Sequence, residues 1–398
     1  MPPVIVAAGV FLQGVGIAVA TAVGGLAAGA SLGIGAAVAL GGAVVAGAAL
    51  VATKAVNSLF AVDMPKVDSD ASRQRTVKST TEPFKTIYGE TLVSGPITYI
   101  GMTGSENEDL YHVIALAGHE VTDIRDVHFD NKVITNAQIN SENAAGGNVI
   151  AGDFGPKGST ASTICVINKH RGTATQAADT MMTGAFGDYT SAHQGKGVAY
   201  IAMKWTLNED SAQTWEQLAP TNIKAIVKGR KVYDPRLDVA ANNAPGANPA
   251  NTDYIDYSTN PALCLADYLI NSEFGLGVAA DKVDWPAIVT AADGCDVSVT
   301  VPGGTETRFT CNGVLFGTDS HRTNINKILS SMNGTLVYTN GEYILRAGIY
   351  EAPAQSLNED DLIGAVGIKT SFERSDRFNT VKGVFVDPAQ NHKSSEFP

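Results

Sequence analysis

No charged side chain occurs between Met1 and Thr53, and Lys54 is the first. That absence excludes an ordinary solvated surface for the stretch, which belongs in lipid or under other protein. A basic excess is also missing: 28 Lys and Arg stand against 40 Asp and Glu, a formal net charge of −12. Phosphate contacts need clustered Lys and Arg, so nucleic-acid binding is not the main task. Cysteine is scarce. Cys165, Cys264, Cys295 and Cys311 form no Cys-x-x-Cys pair and no zinc spacing, and each has apolar or helical neighbours. Buried free thiols are expected, with a Cys295–Cys311 disulfide across a hairpin as the alternative. Met1-Pro2-Pro3-Val4 supplies no basic n-region, so a cleaved secretory leader is not expected.

The charge-free run is built from Ala, Val and Gly. As one helix it would reach about 80 Å, far beyond the ~30 Å hydrocarbon core of a bilayer. A two-helix hairpin turning near Gly29–Gly35 fits better. Gly25, Gly29 and Gly33 share one helix face. Small residues at that spacing let two backbones approach closely, and this face is expected to self-associate. The other reading is a Gly/Ala-rich low-complexity arm that is merely mobile or buried against partners.

Beyond Asp63 the pattern is that of a soluble protein large enough for more than one core. Short strands are predicted at 84–88, 95–101 and 110–116, and over 121–134 around an Asp130-Asn131 turn. Asn136–Thr163 and Thr173–Gly197 are small and polar and read as loops or an insertion. Strands return at 197–205 and 223–233. The Lys224–Lys231 cluster reads as the solvated edge of a strand. Asn260-Pro261 opens a helix that Gly275 and Gly277 end. A second helix runs from Asp284-Trp285-Pro286 to Ala292, a third spans Ser320–Met332, and Asn340-Gly341 turns a hairpin between 335–338 and 343–346.

Candidate chemistry is thin. Glu106, Glu108 and Asp109, and Glu359, Asp360 and Asp361, are acidic groups in polar loops, where raising a carboxyl pKa by desolvation is not expected. Cys165 and His170 lie five apart with no orienting third group. His112, His119 and His128 have no consistent parity for a metal site. Gly155-Pro156-Lys157-Gly158-Ser159-Thr160 lacks the spacing of a phosphate loop. No catalytic residue, metal or cofactor is expected.

Several runs resemble one family. Asn260-Pro261-Ala262-Leu263-Cys264-Leu265-Ala266-Asp267-Tyr268-Leu269, then Phe274-Gly275-Leu276-Gly277, resembles the Asn-Pro-Ala-x-Cys-Leu-x-Asp-x-Leu…Tyr-Gly-x-Gly stretch of the lambda-like phage tail-tip protein J family. Gly294-Cys295-Asp296 and Gly304-Thr305-Glu306-Thr307-Arg308-Phe309-Thr310-Cys311-Asn312 continue the likeness, as do Tyr338 with Gly341 and the run Phe372–Val381. Upstream, Leu92-Val93-Ser94-Gly95-Pro96-Ile97 is similar to the family's Ser-Glu-Gly-Pro-Ile motif. The apolar arm has no counterpart in the lambda protein. The family usually continues far beyond the position of Pro398, toward a receptor-binding tip.

The resemblance implies an α+β protein, mostly β. It implies tube-like β-domains and an α+β domain, which here would follow the apolar Gly/Ala-rich helical arm read from the charge-free run. The expected division is an arm over 1–60, a β-rich hub domain over 61–240 with an insertion near 136–197, and an α+β hub domain over 255–398. It implies a structural role: a homotrimeric hub closing the distal end of a long non-contractile tail, assembled in the host cytoplasm. The implied partners are distal tail and tail-tube proteins, the tape-measure protein, tail fibres and the host envelope, with DNA passing through the lumen without sequence-specific binding. Asn260, Pro261, Cys264, Asp267, Gly275, Gly277, Arg308, Cys311 and Asn312 would be structural. The alternative is a stand-alone pore-forming or membrane-anchored protein acting through its Gly-rich hairpin.

Overall fold

The computed structural model describes residues 82–350, except 131, 140–146, 156–162, 208–221, 239–247 and 302–303, together with Thr76 and scattered positions after 351. These lie in one unit, Asp68–Pro398. The apolar arm, with Gly25, Gly29 and Gly33, and the 372–379 part of the resemblance lie outside the described residues. Among the described residues no helix is long and apolar enough to cross a membrane. Their architecture is α+β with more strand than helix, in open antiparallel sheets.

The chain opens with β1 (Lys85–Tyr88), β2 (Glu90–Val93), β3 (Ile97–Thr103), β4 (Asp109–Ala117), β5 (Asp123–Phe129) and β6 (Lys132–Ile134). Then come β7 (Gly147–Asn148), β8 (Cys165–His170), helix α1 (Thr180–Ala185), β9 (Ala199–Thr206) and β10 (Ile223–Lys228). Two sheets result, ordered β2-β10-β5-β6 and β3-β4-β9-β8-β7. They pack face to face because their strands alternate. On β9, Ala199, Ile201, Met203 and Trp205 enter the space between the sheets, while Tyr200 and Ala202 face outward under Met182 of α1. Trp205 meets Phe129 of the facing sheet edge-on, with ring centroids 4.6 Å apart.

A second core follows. It contains β11 (Lys231–Tyr233), β12 (Ile255–Tyr257), α2 (Pro261–Ile270), α3 (Trp285–Cys295), the hairpin β13 (Ser298–Val301) and β14 (Gly304–Thr307), β15 (Gly313–Phe316), α4 (His321–Ser330), and the hairpin β16 (Thr335–Thr339) and β17 (Glu342–Arg346). A last hairpin pairs β18 (Val384–Asp387) with β19 (Lys393–Glu396). Asn260 caps α2: its Oδ1 accepts the Ala262 N–H at 3.0 Å, and Pro261 fills the first turn, where no N–H is needed. The Asn260 Nδ2 donates to the Ala292 carbonyl at 2.9 Å and ties α2 to α3. Pro261 to Leu269 are all buried, so α2 is surrounded on every side. Leu263, Leu265 and Leu269 each contribute about 1.5–3 kcal/mol by burial.

The two cores share β1. It pairs antiparallel with β15, so Ile87 and Val314 belong to the sandwich while Tyr88 and Leu315 belong to the helical core.

The structure departs from the sequence reading in three places. The Lys224–Lys231 cluster is not a sheet edge: β10 lies between β2 and β5, and its lysines alternate with the buried Ile223, Ala225 and Val227. The predicted 223–233 strand breaks at Gly229-Arg230. The loop reading missed α1, and no strand was predicted where β8 runs. The cysteines follow the reading: all four are free and buried, and the alternative Cys295–Cys311 disulfide is absent.

Candidate functional site

Residues of the α2 motif meet the strand shared by the two cores. Asp267 of α2 accepts a hydrogen bond from the Tyr88 hydroxyl at 2.6 Å. Arg230, in the break between β10 and β11, donates its Nε to both Asp267 oxygens at 3.0 and 3.3 Å. Its guanidinium lies 5.0 Å from the Phe274 ring centroid, a cation–π distance. Arg230 also donates its backbone N–H to the Ile87 carbonyl at 2.9 Å. The Ile87 N–H donates to His119 Nε2 at 2.9 Å, and His119 Nδ1 donates to the Glu120 carbonyl at 2.7 Å. This tautomer follows because the backbone N–H needs an acceptor and the carbonyl needs a donor.

The electrostatics are those of a fixed joint. Burial pushes the Asp267 carboxyl up, and Arg230 and Tyr88 oppose that shift. Burial, and then the Asp267 charge, push the Tyr88 phenol well above its ordinary value. Burial lowers His119 to about 4, which leaves the ring neutral near pH 7. The arrangement binds β1, the 229–230 break and α2 to one another.

The other motif residues surround it. In the turn after α2, Leu276 N–H donates to the Tyr268 carbonyl and Gly277 N–H to the Asn271 carbonyl, both at 2.9 Å. A Cβ on Gly275 would collide with the Tyr268 carbonyl oxygen, and Gly277 has φ +69°. Asn312 Oδ1 accepts the Glu90 N–H at 2.8 Å beside Gly89, whose φ is +65°. Cys311 N–H donates to the Thr259 carbonyl at 2.7 Å. Arg308 sits apart, donating to the Gly294 carbonyl at 3.2 Å near the end of α3. Asn260, Cys264, Asp267, Cys311 and Asn312 therefore gather around α2 and β1. Tyr88 was not singled out from sequence, and His119 and Arg230 entered only as part of a histidine set and a basic cluster, because only the fold brings these distant positions together.

A second polar cluster lies by α1, beside a cleft of about 360 Å³. Asp179 caps α1 by accepting the Met182 N–H at 2.9 Å, and it also accepts from Asn168 Nδ2 at 2.7 Å. His170 Nε2 lies 2.8 Å from the same carboxylate, and its ring stacks on Tyr200 with centroids 4.3 Å apart. Burial alone would raise the Asp179 carboxyl, but hydrogen bonds from His170, Asn168 and the Met182 N–H hold it below its ordinary range.

The weighed catalytic candidates do not assemble. Cys165 points into the sandwich while His170 faces the cleft, as their opposite parity on β8 requires, and burial pushes the Cys165 thiol well up. His112 lies on β4 and His128 on β5, in different sheets, and His119 belongs to the joint. Backbone N–H groups of Glu108 and Glu106 lower the Glu108 carboxyl, opposite to what a general acid needs. Glu359, Asp360 and the 156–160 part of the glycine-rich run lie outside the described residues. Among the described residues no group of three His, Cys, Asp or Glu is arranged to hold a metal.

No protein family matches the sequence. No curated protein matches it. Among solved structures the chain is similar to a chain of the virion of a native gene transfer agent (GTA) particle, with a TM-score of 0.42 and 15% identity. The match covers 76% of this chain and 61% of that one, so this chain spans less than two thirds of its neighbour's length.

Proposed function

We propose that the chain is a structural component of a phage tail tip, a trimeric hub that closes the distal tail tube and takes part in host attachment and DNA ejection. The observation that carries this reading is the joint. Motif residues that carry the resemblance to the tail-tip protein J family, dispersed from Asn260 to Asn312, meet in space around Asp267 and β1. Their jobs there are capping, turning and packing, which is the role the resemblance gives them.

The sandwich supplies surfaces for assembly. At one edge of the five-stranded sheet, β3 leaves Ile100 51% and Met102 47% exposed. An apolar sheet edge suits heterologous contact in a ring of similar faces. Two tube-like domains in each of three chains would present six such faces to a sixfold tube. Tail-tube and distal tail proteins, tail fibres and the tape-measure protein are the partners in this reading, and DNA crosses the lumen without sequence-specific contact. The charge-free arm plugs that lumen or enters the host envelope on ejection. The reading assigns no catalytic residue and no cofactor.

The charge-free run also supports a second reading, a stand-alone pore-forming or membrane-anchored protein. Cryo-electron microscopy of purified particles, with the intact mass of this chain, separates the two. Three copies around the tail axis are expected. Six copies, an off-axis monomer, or absence from particles combined with leakage of liposomes by the chain alone would overturn the hub.

A further inference from the structure

Lys85 is buried at 4% exposure. It has the parity of Ile87 on β1, so its side chain runs toward the sandwich, where Nζ donates to the Ser94 carbonyl at 2.9 Å. An ammonium carries three donors and a full charge, and this neutral acceptor satisfies one donor and none of the charge. Among the described residues no carboxylate forms an ion pair with it. Burial lowers the Lys85 ammonium below its ordinary range, and the more distant Glu82 charge opposes this only in part.

Lys85 also lines a cleft of about 130 Å³. Pro96, Ala115, Leu116, Ala117 and Val198 give the cleft apolar walls, and Glu82 is the other charged residue along it. A buried charge is tolerated where it is paired and costly where it is not. Water in the cleft can accept the remaining N–H groups but brings no counter-charge. An anion there does both.

We propose that the cleft binds a single carboxylate on a short apolar stem, with the Lys85 ammonium as its counter-charge. One ammonium balances one negative charge, whereas a phosphate dianion would leave a surplus against apolar walls and beside Glu82. The stem replaces water along Ala115 and Val198, and the carboxylate oxygens accept the N–H groups that Ser94 leaves. A free short-chain acid and the end of an Asp or Glu side chain from another chain share this chemistry.

The test titrates sodium propionate into the purified full chain, against sodium chloride at matched concentration and against n-propanol, and reads binding by calorimetry and by the thermal midpoint. Saturable binding of propionate at one site is expected, with a midpoint raised beyond the salt control and no effect of propanol. Lys85→Met keeps an unbranched stem without the charge and should weaken binding about tenfold or more. Glu82→Gln removes the like charge and should tighten it. Ala115→Leu fills the cleft while leaving the lysine, and should abolish binding even if Lys85→Met fails to fold. No saturable binding by the parent, equal affinity in Lys85→Met, or propanol binding as well as propionate would overturn the proposal. Carbodiimide coupling of the chain as isolated from cells, followed by peptide mapping, separates the two sources. Lys85 joined to an Asp or Glu of another chain marks a protein carboxylate, and Lys85 joined to a small acid marks a free one. The titration uses this chain alone, so its outcome is independent of the tail-tip reading.

Discussion

The Tyr88 hydroxyl donates to the Asp267 carboxylate across 2.6 Å, joining positions 179 residues apart in the chain. One comes from the strand shared by both cores and the other from the helix at the centre of the second. Removing the acceptor leaves a buried phenol and a partly buried guanidinium without their partner. Asp267→Ala should cost about 2–4 kcal/mol, below the cost for a fully buried pair because the Arg230 side chain is 27% exposed. Tyr88→Phe should cost about 1.5–3 kcal/mol. Urea denaturation of both variants checks this, and equal stability to the parent would show that the bond does not hold the cores.

His119 makes stability sensitive to mild acid. Its folded pKa of about 4 lies below the ordinary 6.5, so the unfolded chain binds the proton first. The contribution is full above pH 6.5 and is lost as pH falls toward 4. The gap is worth about 3 kcal/mol, of which about 2 kcal/mol is gone by pH 5. Denaturation midpoints at pH 7, 6 and 5 should fall steeply for the parent and less so for His119→Gln.

Gly275→Ala places a methyl group against the Tyr268 carbonyl oxygen. The backbone must shift, and a loss of about 1–3 kcal/mol is expected. Gly304→Ala, where nothing lies within 4 Å of the added atom, is the control and should stay within about 0.5 kcal/mol. Thermal melts of the two proteins side by side distinguish crowding from a general intolerance of alanine.

Leu265→Ala should cost about 2–5 kcal/mol, since the residue is fully buried and α2 is enclosed on all sides. A variant with normal stability would mean that the cavity collapses freely, contrary to the packing around α2.

The β3 edge separates assembly from folding. Ile100→Asp with Met102→Asp changes two exposed side chains and should leave the melting temperature of the free chain nearly unchanged. If the edge is a ring contact, particles made with this variant should lack the chain. Normal incorporation would remove β3 from the interface.

Much of the second core was legible because its signals are local. Asn260 followed by Pro261 announces a cap and a first turn, and Asn340-Gly341 announces a hairpin through two consecutive positive φ values, 54° and 87°. The missed elements lack such signals. Helix α1 has six residues, too few for an apolar period, and Asp179 holds its start through tertiary bonds to β8. The lysines of β10 mimic a solvated edge because a central strand with one buried face has the same alternation. The joint was half legible: motif resemblance picked out Asp267, but Tyr88, His119 and Arg230 are ordinary in their local sequence and gain meaning only through the β1–β15 pairing.

That pairing also sets an order of events on the ribosome. Strand 85–88 leaves the exit tunnel early, while its partner at 313–316 is made only after the whole sandwich and helices α2 and α3. Neither core is complete without both strands, so during synthesis the sandwich waits with an open side beside Ile87. Long-range closure of this kind is slow and leaves apolar surface accessible in the meantime. The nascent chain therefore needs its downstream third, or a chaperone occupying that gap, before its upstream third is finished.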